Sequence, residues 1–347
     1  MTITPHIKRD IQWWLTNIDH ITRNITPRPV DKVIYTDASR EGWGAYDGTL
    51  RTKGHWTTTE WDMSNINVLE LKAVHFALLS LCSHDRGLHI KIMIDNTTAI
   101  AYINHMGGSK SHLCQQITRD IWSWAETNDI WLTATHIPGV ENTIADEDSR
   151  NFNDTAEWSI TQKIFRRIAQ IYGMPDIDLF ANRLNYKVKP YISWHPDPHC
   201  LTTNAFTIPW DYNLIYCFPP FSLIWKTLAK IRREKVDAIL IVPQWPTQSW
   251  YPSAMRLLVD HPRIFTSAPT HLQLPHNPTL VHPLYPKMKM MALLLSGKPS
   301  KTTAFRQRQK ESYFHPGIPA QNIDIIPHLR DGRNFVIQGI KTHCKPL

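Results

Sequence analysis

The sequence predicts an α/β protein made of two successive α/β units. In residues 31–150, strand-like and helix-like segments follow one another in an order that requires a mixed sheet, and a strand, a helix and a strand recur at crossover length after residue 210. The charge is divided in the same way, since residues 30–150 hold ten basic and sixteen acidic residues, whereas residues 151–347 hold 24 basic and 12 acidic ones. An acidic block in a basic chain indicates two units of different chemistry, and this asymmetry is typical of proteins that meet nucleic acid or another acidic partner.

The composition disfavours several classes of protein. The amino-terminal residues MTITPHIKRDIQWWL lack the apolar core of a signal peptide, and no uncharged apolar run reaches 18 residues. Five cysteines without a CxxC pair support neither a disulfide framework nor a structural zinc site. We therefore expect an intracellular protein, nuclear or cytoplasmic and not secreted, without membrane contact.

The first unit is predicted element by element from hydrophobic periodicity. VIYTD reads as a strand ending in Asp37, and two more strand-like pieces follow at residues 43–46 and 54–56. From Asn67 an apolar stripe at helical spacing includes Glu70, and the alternating segment HIKIMID ends in Asp95. Helices are expected from residue 97 and over residues 111–127, then the strand IWLTATHI, a Pro-Gly turn and a short helix that carries Asp146. These elements predict five strands in one mixed sheet.

The second unit is predicted in the same way, after a polar boundary at residues 151–155. An amphipathic helix in WSITQKIFRRIAQIYG is closed by Gly173, and strands are expected at residues 177–181, 214–218, 238–243 and 291–296. A helix ending near Glu234 joins the second and third of these strands. The residues after Lys298 have too little periodicity for a prediction.

Four acidic side chains of the first unit stand where a catalytic metal site would need them. Asp37 and Asp95 each end a strand, Glu70 lies on an apolar helix face, and Asp146 follows a tight turn. Strands that end in Asp can aim both side chains at one crevice at the carboxyl edge of a sheet. Gathered carboxylates repel one another unless a cation lies between them, and Mg²⁺ prefers such ligands. The pattern predicts a divalent-metal site suited to phosphodiester cleavage.

Each of these residues alone has a simpler interpretation. A lone strand-terminal Asp is most often a turn former, Glu70 could form a capping pair with Asn67, and Asp146 could belong to a solvated acidic face. His136 alone would more often be a structural or surface histidine. Together these interpretations require four coincidences, and the order of the residues argues against them.

The segments around these residues resemble, block by block, the type 1 ribonuclease H domain of retroelement reverse transcriptases. The matching segments are YTDAS, VLELKAV, IMIDNTTAI and HIPGVENTIADEDSR, and the resemblance covers residues 32–150. It implies that Asp37, Glu70, Asp95 and Asp146 bind two Mg²⁺ ions, with Mn²⁺ as a substitute, and that the RNA strand of RNA–DNA hybrids is the substrate.

In the same resemblance His136 assists water activation or product release on a mobile loop. One position departs from the family pattern, because Asp148 stands where an apolar residue is usual. This departure predicts weaker docking of the last helix and makes Asp146 the least secure of the four ligands.

The second unit resembles the phage-type DNA adenine-N6 methyltransferase domain that accompanies ribonuclease H in DIRS-like (tyrosine-recombinase) retrotransposon polyproteins. The matching segments, in order, are IDLFANRLN, NAFTIPW, IYCFPPFS and AILIVPQWPTQSWY, within residues 157–299. The resemblance implies a Rossmann-like fold with cofactor-binding residues in two places. Asp178 would lie near an S-adenosylmethionine pocket, while Pro219, Pro220 and Phe221 would hold a flipped base.

Methyl transfer is not expected from this unit. In the enzymes a polar Asn or Asp precedes the Pro-Pro-aromatic turn and accepts a hydrogen bond from the adenine amino group, and Phe218 stands there in this chain. A phenyl ring offers no such acceptor. The unit is therefore expected to hold nucleic acid through basic helices at Arg166-Arg167 and residues 226–235, although solvated helix faces would look the same.

The resemblances predict four segments: a connector remnant at residues 1–30, a ribonuclease H-like domain at 31–150, a methyltransferase-like domain at 156–299 and a basic tail at 300–347. KRDIQWWL at residues 8–15 resembles the connector that precedes the ribonuclease H domain in these elements. No YxDD polymerase signature is present, so the chain resembles the carboxyl-terminal part of an element's polyprotein or a remnant of it. The element's reverse transcriptase and recombinase are the expected protein partners.

Three alternatives to a hybrid-specific ribonuclease stay open. A strand-transfer integrase or transposase would generally place its essential Glu last, whereas Glu70 is second in the order. A non-catalytic nucleic-acid-binding remnant would bind a hybrid without cutting it, and an active methyltransferase would transfer methyl to DNA.

Overall fold

The first sheet has five strands in the order β3-β2-β1-β4-β5. The computed structural model describes residues 3, 5–19, 28–62, 65–152, 158–265, 268–309, 334–337 and 339–347. The strands are β1 (Lys32–Ala38), β2 (Gly42–Tyr46), β3 (Arg51–His55), β4 (His89–Ile94) and β5 (Trp131–His136). β1, β4 and β5 are parallel, and the meander β1-β2-β3 is antiparallel. The predicted mixed sheet is confirmed.

Helices cover this sheet. They are α2 (Thr58–Asp62), α3 (Ile66–Leu81), α4 (Thr97–Asn104), α5 (His112–Thr127) and α6 (Thr143–Arg150), and α1 (Pro5–Asn17) precedes the sheet. α3 carries the apolar stripe read from the sequence and buries Val74, Ala77 and Leu81 against the strands. Burial of such a stripe stabilises the helix far more than its intrinsic propensity does. This packing also fixes the position of Glu70, which lies on the same buried stripe.

One local prediction in this unit was wrong. The third strand runs over Arg51–His55 and not residues 54–56, because Arg51 pairs with Tyr46 directly after the turn and the pairing ends with His55 opposite Gly42. The capping residue of α3 is Asn65, whose side chain accepts a hydrogen bond from the amide of Val68, and not Asn67. Glu70 is therefore not half of a capping pair.

The second unit has a six-stranded sheet in the order β17-β12-β14-β11-β10-β7. Its strands are β7 (Ile177–Asp178), β10 (Ile215–Cys217), β11 (Asp237–Pro243), β12 (Arg263–Ile264), β14 (Met290–Ser296) and β17 (Lys345–Pro346). Paired outside it are β6 (Ser159–Ile160) with β13 (Leu272–Gln273), β8 (Ile192–Ser193) with β9 (Thr202–Thr203), and β15 (Asn334–Ile337) with β16 (Ile340–His343). β7, β10 and β11 are parallel, whereas β14 runs antiparallel to β11.

Helices pack on both faces of the second sheet. They are α7 (Gln162–Tyr172), α8 (Ile224–Glu234), α9 (Tyr251–Arg256) and α10 (Pro299–Gln307). α8 connects β10 to β11 as the predicted crossover helix, and its core lies on the face opposite to that of α7. The strand predicted at residues 177–181 is shorter, because the chain turns away after Asp178.

The carboxyl-terminal residues contribute to this sheet. β17 pairs in parallel with β12, through Arg263 with Lys345 and Ile264 with Pro346. Residues 153–155 of the predicted boundary at 151–155, residues 20–27, and residues 310–333 of the predicted tail at 300–347 lie outside the described residues. No helix in the described part of the chain is both long and apolar enough to cross a membrane, and the five cysteines form no disulfide.

The two units are in direct contact through Arg183. Its guanidinium donates from Nη1 to both carboxylate oxygens of Glu60 at 2.9 and 3.1 Å and from Nη2 to the carbonyl of His55 at 2.7 Å. The same group lies 4.4 Å from the ring centre of Phe76 on α3. Thr52 donates to the carbonyl of Pro196, so the second unit covers edge strand β3. Covering an exposed edge removes a surface that would otherwise pair with other chains.

Candidate metal centre

Three acidic residues meet at the carboxyl edge of the first sheet. Asp37 is the penultimate residue of β1 and Asp95 directly follows β4, and these strands pair in parallel with Tyr35 opposite Met93. Glu70 enters from α3, which packs on β1. One carboxylate oxygen of each residue lies within 4.8 Å of the others. The sequence placed these three side chains at one edge, and the structure brings them together.

The chemistry of this cluster fits a hard divalent cation. Asp37 and Glu70 are 5% and 3% exposed, and Oδ2 of Asp37 and Oε2 of Glu70 are buried without a hydrogen-bond donor among the described residues. A buried carboxylate oxygen without a partner is strongly unfavourable unless a proton or a cation satisfies it. Mg²⁺ takes carboxylate oxygens together with waters and substrate phosphates, and Mn²⁺ takes the same ligands.

The pKa values in the cluster shift as crowded buried carboxylates require. Burial, together with the charges of Asp37 and Asp95, raises the pKa of Glu70 to about 9, and the amide of Ala38 opposes the shift. Burial also raises the pKa of Asp37, where Asp95 and Asp146 add to the effect and Arg150 opposes it. A cation bound here would favour the ionised forms.

Hydrogen bonds next to the cluster hold its elements in register. Asn96 caps α4 through Oδ1 and donates from Nδ2 to Oδ1 of Asn67 at 2.9 Å, which ties the start of α3 to the end of β4. On the other side a Cβ at Gly139 would lie 3.3 Å from Oδ2 of Asp95. Absence of a side chain there lets the loop after β5 approach the carboxylate closely.

Asp146 and His136 lie at the rim of the cluster. Asp146 is not among the three residues whose oxygens lie within 4.8 Å of one another, and its Oδ1 accepts a hydrogen bond of 2.7 Å from Nε of Arg150. His136 ends β5 opposite Ile94, the residue before Asp95, and its side chain is exposed. In the structure Asp146 is engaged by Arg150, and the roles predicted for Asp146 and His136 stay predictions.

Helix α6 docks on the sheet through polar contacts at Asp148, the position where the family pattern has an apolar residue. Asp148 is 2% exposed and accepts from Nε of Arg51 at 2.7 Å, and Nζ of Lys53 lies 3.3 Å from its other oxygen. Ser39 donates to the carbonyl of Ser149 at 2.6 Å. In place of the apolar contact of the family pattern, Asp148 therefore provides a buried carboxylate that pairs with two cations.

Of the four cofactor-binding residues predicted in the second unit, Pro220 alone lines the cavity that the structure shows there. Asp178 is buried in the sheet, where it accepts hydrogen bonds from the amides of Phe180 and Lys187 at 3.3 and 2.9 Å. Pro220 lines a cavity of about 780 Å³ between the two units, whereas Asp178, Pro219 and Phe221 do not line it. Phe221 instead meets Trp245 edge to face.

The cavity has aromatic residues on both walls, and its basic and acidic residues balance in charge. First-unit residues Arg51, Lys53 and Phe152 form one wall, and Phe180 and Phe218 belong to the other. Its two first-unit cations already pair with Glu147 and Asp148. Phe218 presents an aromatic ring, without a hydrogen-bond acceptor, to this space.

Sequence reasoning missed two residues that shape the site. One of them is Arg150. Asp146 and Arg150 are four residues apart on a predicted helix, a spacing that indicates an ion pair, but Asp146 was interpreted only as a metal ligand. The other is Arg183. No local sequence pattern indicated its role, because its hydrogen-bond partners Glu60 and His55 are more than 100 residues away in sequence.

Several solved RNase H structures are similar to about a third of this chain. LC11-RNase H1, solved in complex with an RNA/DNA hybrid, is 19% identical, with 34% of this chain and 93% of that chain covered and a TM-score of 0.30. The N-terminal RNase H domain of rv2228c from Mycobacterium tuberculosis is 16% identical, with 35% and 91% covered and a TM-score of 0.28. RNase H1 from Halobacterium salinarum is 17% identical, with 34% and 92% covered and a TM-score of 0.27.

No protein-family model matches the sequence, and no curated protein matches it.

Proposed function

We propose that the chain is a divalent-metal-dependent endoribonuclease that hydrolyses the RNA strand of RNA–DNA hybrids. The observation that carries this proposal is the convergence of Asp37, Glu70 and Asp95, where two buried carboxylate oxygens have no hydrogen-bond donor among the described residues. The resemblance of the surrounding segments to retroelement ribonuclease H supplies the substrate class. The retrotransposon origin of the chain is part of the same proposal.

The residues divide the work as follows. Asp37, Glu70 and Asp95 would hold one divalent ion, and Asp146 would contribute to a second. Bound Mg²⁺ supplies an activated water and stabilisation of the leaving oxygen in phosphodiester cleavage. His136, exposed at the end of β5, moves a proton to or from the reacting water or the product. Burial of Glu70 and Asp37 keeps bulk water away from the ligand oxygens.

Hybrid recognition would depend on shape and not on base sequence. An A-form-like hybrid presents phosphates and RNA 2′-hydroxyls, so cleavage should be nearly independent of sequence. The second unit adds exposed basic side chains on both faces of its sheet, from Arg166 and Arg167 on α7 and from Arg232 and Arg233 on α8. Phosphate contacts of this kind bind nucleic acid in a strongly salt-dependent way.

The residues of the second unit fit adenine methylation poorly. Phe218 offers no acceptor for an amino group, and backbone amides already engage both oxygens of the buried Asp178. We therefore assign no step to S-adenosylmethionine and propose a binding role for this unit. Transfer of labelled methyl from S-adenosylmethionine to DNA would overturn that assignment.

A cleavage assay tests the proposed activity. An end-labelled RNA strand annealed to DNA is incubated with Mg²⁺ and the wild-type chain, with Asp95→Asn, or with Asp120→Asn, which removes an exposed acid on α5. We expect cleavage by the wild type and by Asp120→Asn, and a loss of about 100-fold or more in Asp95→Asn.

Two results would overturn the proposal: no cleavage by the wild type with Mg²⁺ or Mn²⁺, or equal cleavage by Asp95→Asn. Hybrid binding without cleavage would support the non-catalytic alternative.

A further inference from the structure

Arg150 is a cation built into the edge of the carboxylate cluster. It lies one turn after Asp146 on α6 and holds Oδ1 of that residue through Nε at 2.7 Å. The side chains of Arg150 and Asp146 are 58% and 44% exposed, so both can change rotamer without disturbing the core. The charges of both residues also act on Asp37, which places the guanidinium beside the candidate metal site.

The backbone that carries this pair is fixed. A Cβ at Gly44 of β2 would lie 2.4 Å from the carbonyl of Ala145 and 2.7 Å from the amide of Ser149, so α6 rests directly on the strand. Asn142 at the start of the helix is buried and donates to the carbonyl of Thr36 at 2.9 Å. Any change in the availability of Asp146 therefore comes from rotation of its side chain and that of Arg150, and not from movement of the helix.

We propose that Arg150 is a positioning residue that competes with the second metal ion for Asp146 and yields to a phosphate of the nucleic acid. The proposal rests on the proposed function, because it concerns the fourth carboxylate of that metal site. A guanidinium bound to Asp146 repels a divalent ion that approaches the same carboxylate. The exposed pair is weak, since surface ion pairs contribute little in water, so displacement of the arginine is easy.

Phosphate is the natural competitor for the released arginine. Guanidinium groups bind phosphate oxygens through paired, charge-assisted hydrogen bonds that are stronger than ordinary ones. Contact with nucleic acid would thus remove Arg150 from Asp146 and complete the second ion site in one exchange. In the free protein the cluster of Asp37, Glu70 and Asp95 would bind its ion first, and occupancy of the second site would follow substrate.

Calorimetric titration with Mg²⁺ alone tests this competition on the full chain. The variants are Arg150→Gln, which removes the charge, Arg150→Lys, which keeps the charge without the Nε contact, and Arg86→Gln. Arg86 is an exposed arginine in the turn before β4, at the amino end of that strand. We expect Arg150→Gln to tighten the weaker of two Mg²⁺ binding events, by roughly fivefold at most given the weakness of exposed pairs. Arg150→Lys should lie between the wild type and Arg150→Gln, and Arg86→Gln should match the wild type.

A second measurement separates competition from a structural role. In the hybrid-cleavage assay Arg150→Gln should reach half-maximal rate at lower Mg²⁺ concentration and require more hybrid for saturation. Unchanged or weakened Mg²⁺ binding in Arg150→Gln would overturn the competition, even if the wild type binds metal and cleaves the hybrid. Absence of Mg²⁺ binding in the wild type would instead overturn the proposed function itself.

Discussion

Arg51 on β3 donates from Nε to Oδ2 of Asp148 on α6 at 2.7 Å, across 97 residues of sequence. The acceptor is buried while its donor is half exposed, and Lys53 adds a second cation at 3.3 Å. The arrangement fastens the helix that carries Asp146 to an edge strand that the second unit covers. The charged contact therefore links the candidate metal centre to the interface between the units.

Arg51→Met should destabilise the chain, because it leaves the buried Asp148 with one partner. We expect a loss of about 1 to 3 kcal/mol in the free energy of unfolding, below the value for a fully buried pair because Arg51 is in part solvated. Equilibrium urea unfolding measures the loss. Lys110→Met, at an exposed loop position, is the control and should change stability by less than about 0.5 kcal/mol. Equal stability of the two variants would show that the ion pair contributes nothing to docking.

Gly44→Ala should reduce both stability and hybrid cleavage. The added methyl would lie 2.4 Å from a backbone carbonyl of α6 and 2.7 Å from Cβ of Asp148, so the helix must shift. Overpacking of this kind destabilises by about 1 to 3 kcal/mol. Movement of α6 also displaces Asp146, so the cleavage rate at fixed Mg²⁺ should fall more than the folded fraction does.

Gly48→Ala provides the matched control for that substitution. Gly48 has φ of +95° with no atom within 4 Å of its added Cβ, so Ala there introduces backbone strain without touching α6. It should lower stability by about 1 kcal/mol and leave the cleavage rate per folded molecule unchanged. A cleavage rate that falls equally in both variants would contradict a specific role for the packing of Gly44 against α6.

The sequence predicts the features that depend on neighbouring residues, and it does not predict contacts between distant segments. Asp37 and Asp95 end alternating segments, and Glu70 interrupts an apolar helical stripe, so local periodicity suffices to place each of them at one sheet edge. The partners of Asp148 and Arg183 come from distant segments, and no local pattern encodes such contacts. Strand β17 was missed for the same reason, since two residues paired with Arg263 and Ile264 have no periodicity of their own.

Arg183→Met should weaken the contact between the units. It removes three charge-assisted hydrogen bonds, to Glu60 and to the carbonyl of His55, together with the contact over Phe76. We expect a loss of about 2 kcal/mol, measured by urea unfolding. Arg183→Lys should recover only part of it, because an ammonium cannot reproduce the planar fork. Arg232→Met, on the exposed face of α8, is the control, and a loss as large there would show that Arg183 has no special role.

Asp178 should make the stability of the second unit depend on pH. Burial raises the pKa of Asp178 to about 7, while the amides of Lys187 and Phe180 and the charge of Lys187 oppose the shift. The native state therefore holds this proton more tightly than the unfolded chain, whose Asp has a pKa near 3.8. Its contribution to stability is greatest below about pH 4, falls as the pH rises from 4 to 7, and is constant above that. Burial lowers the pKa of Lys187 to about 8, so that group acts mainly at higher pH.

Asp178→Asn removes this titration. The free energy of unfolding of the variant relative to the wild type should rise by about 2 kcal/mol between pH 5 and pH 8, whatever its offset at pH 5. Urea unfolding at the two pH values measures the change. Ser193→Ala, a buried substitution in the same unit without a titratable group, should differ from the wild type by the same amount at both. A pH-independent difference for Asp178→Asn would mean that Asp178 is ionised in the native protein throughout this range, with its charge balanced by the two amides and Lys187.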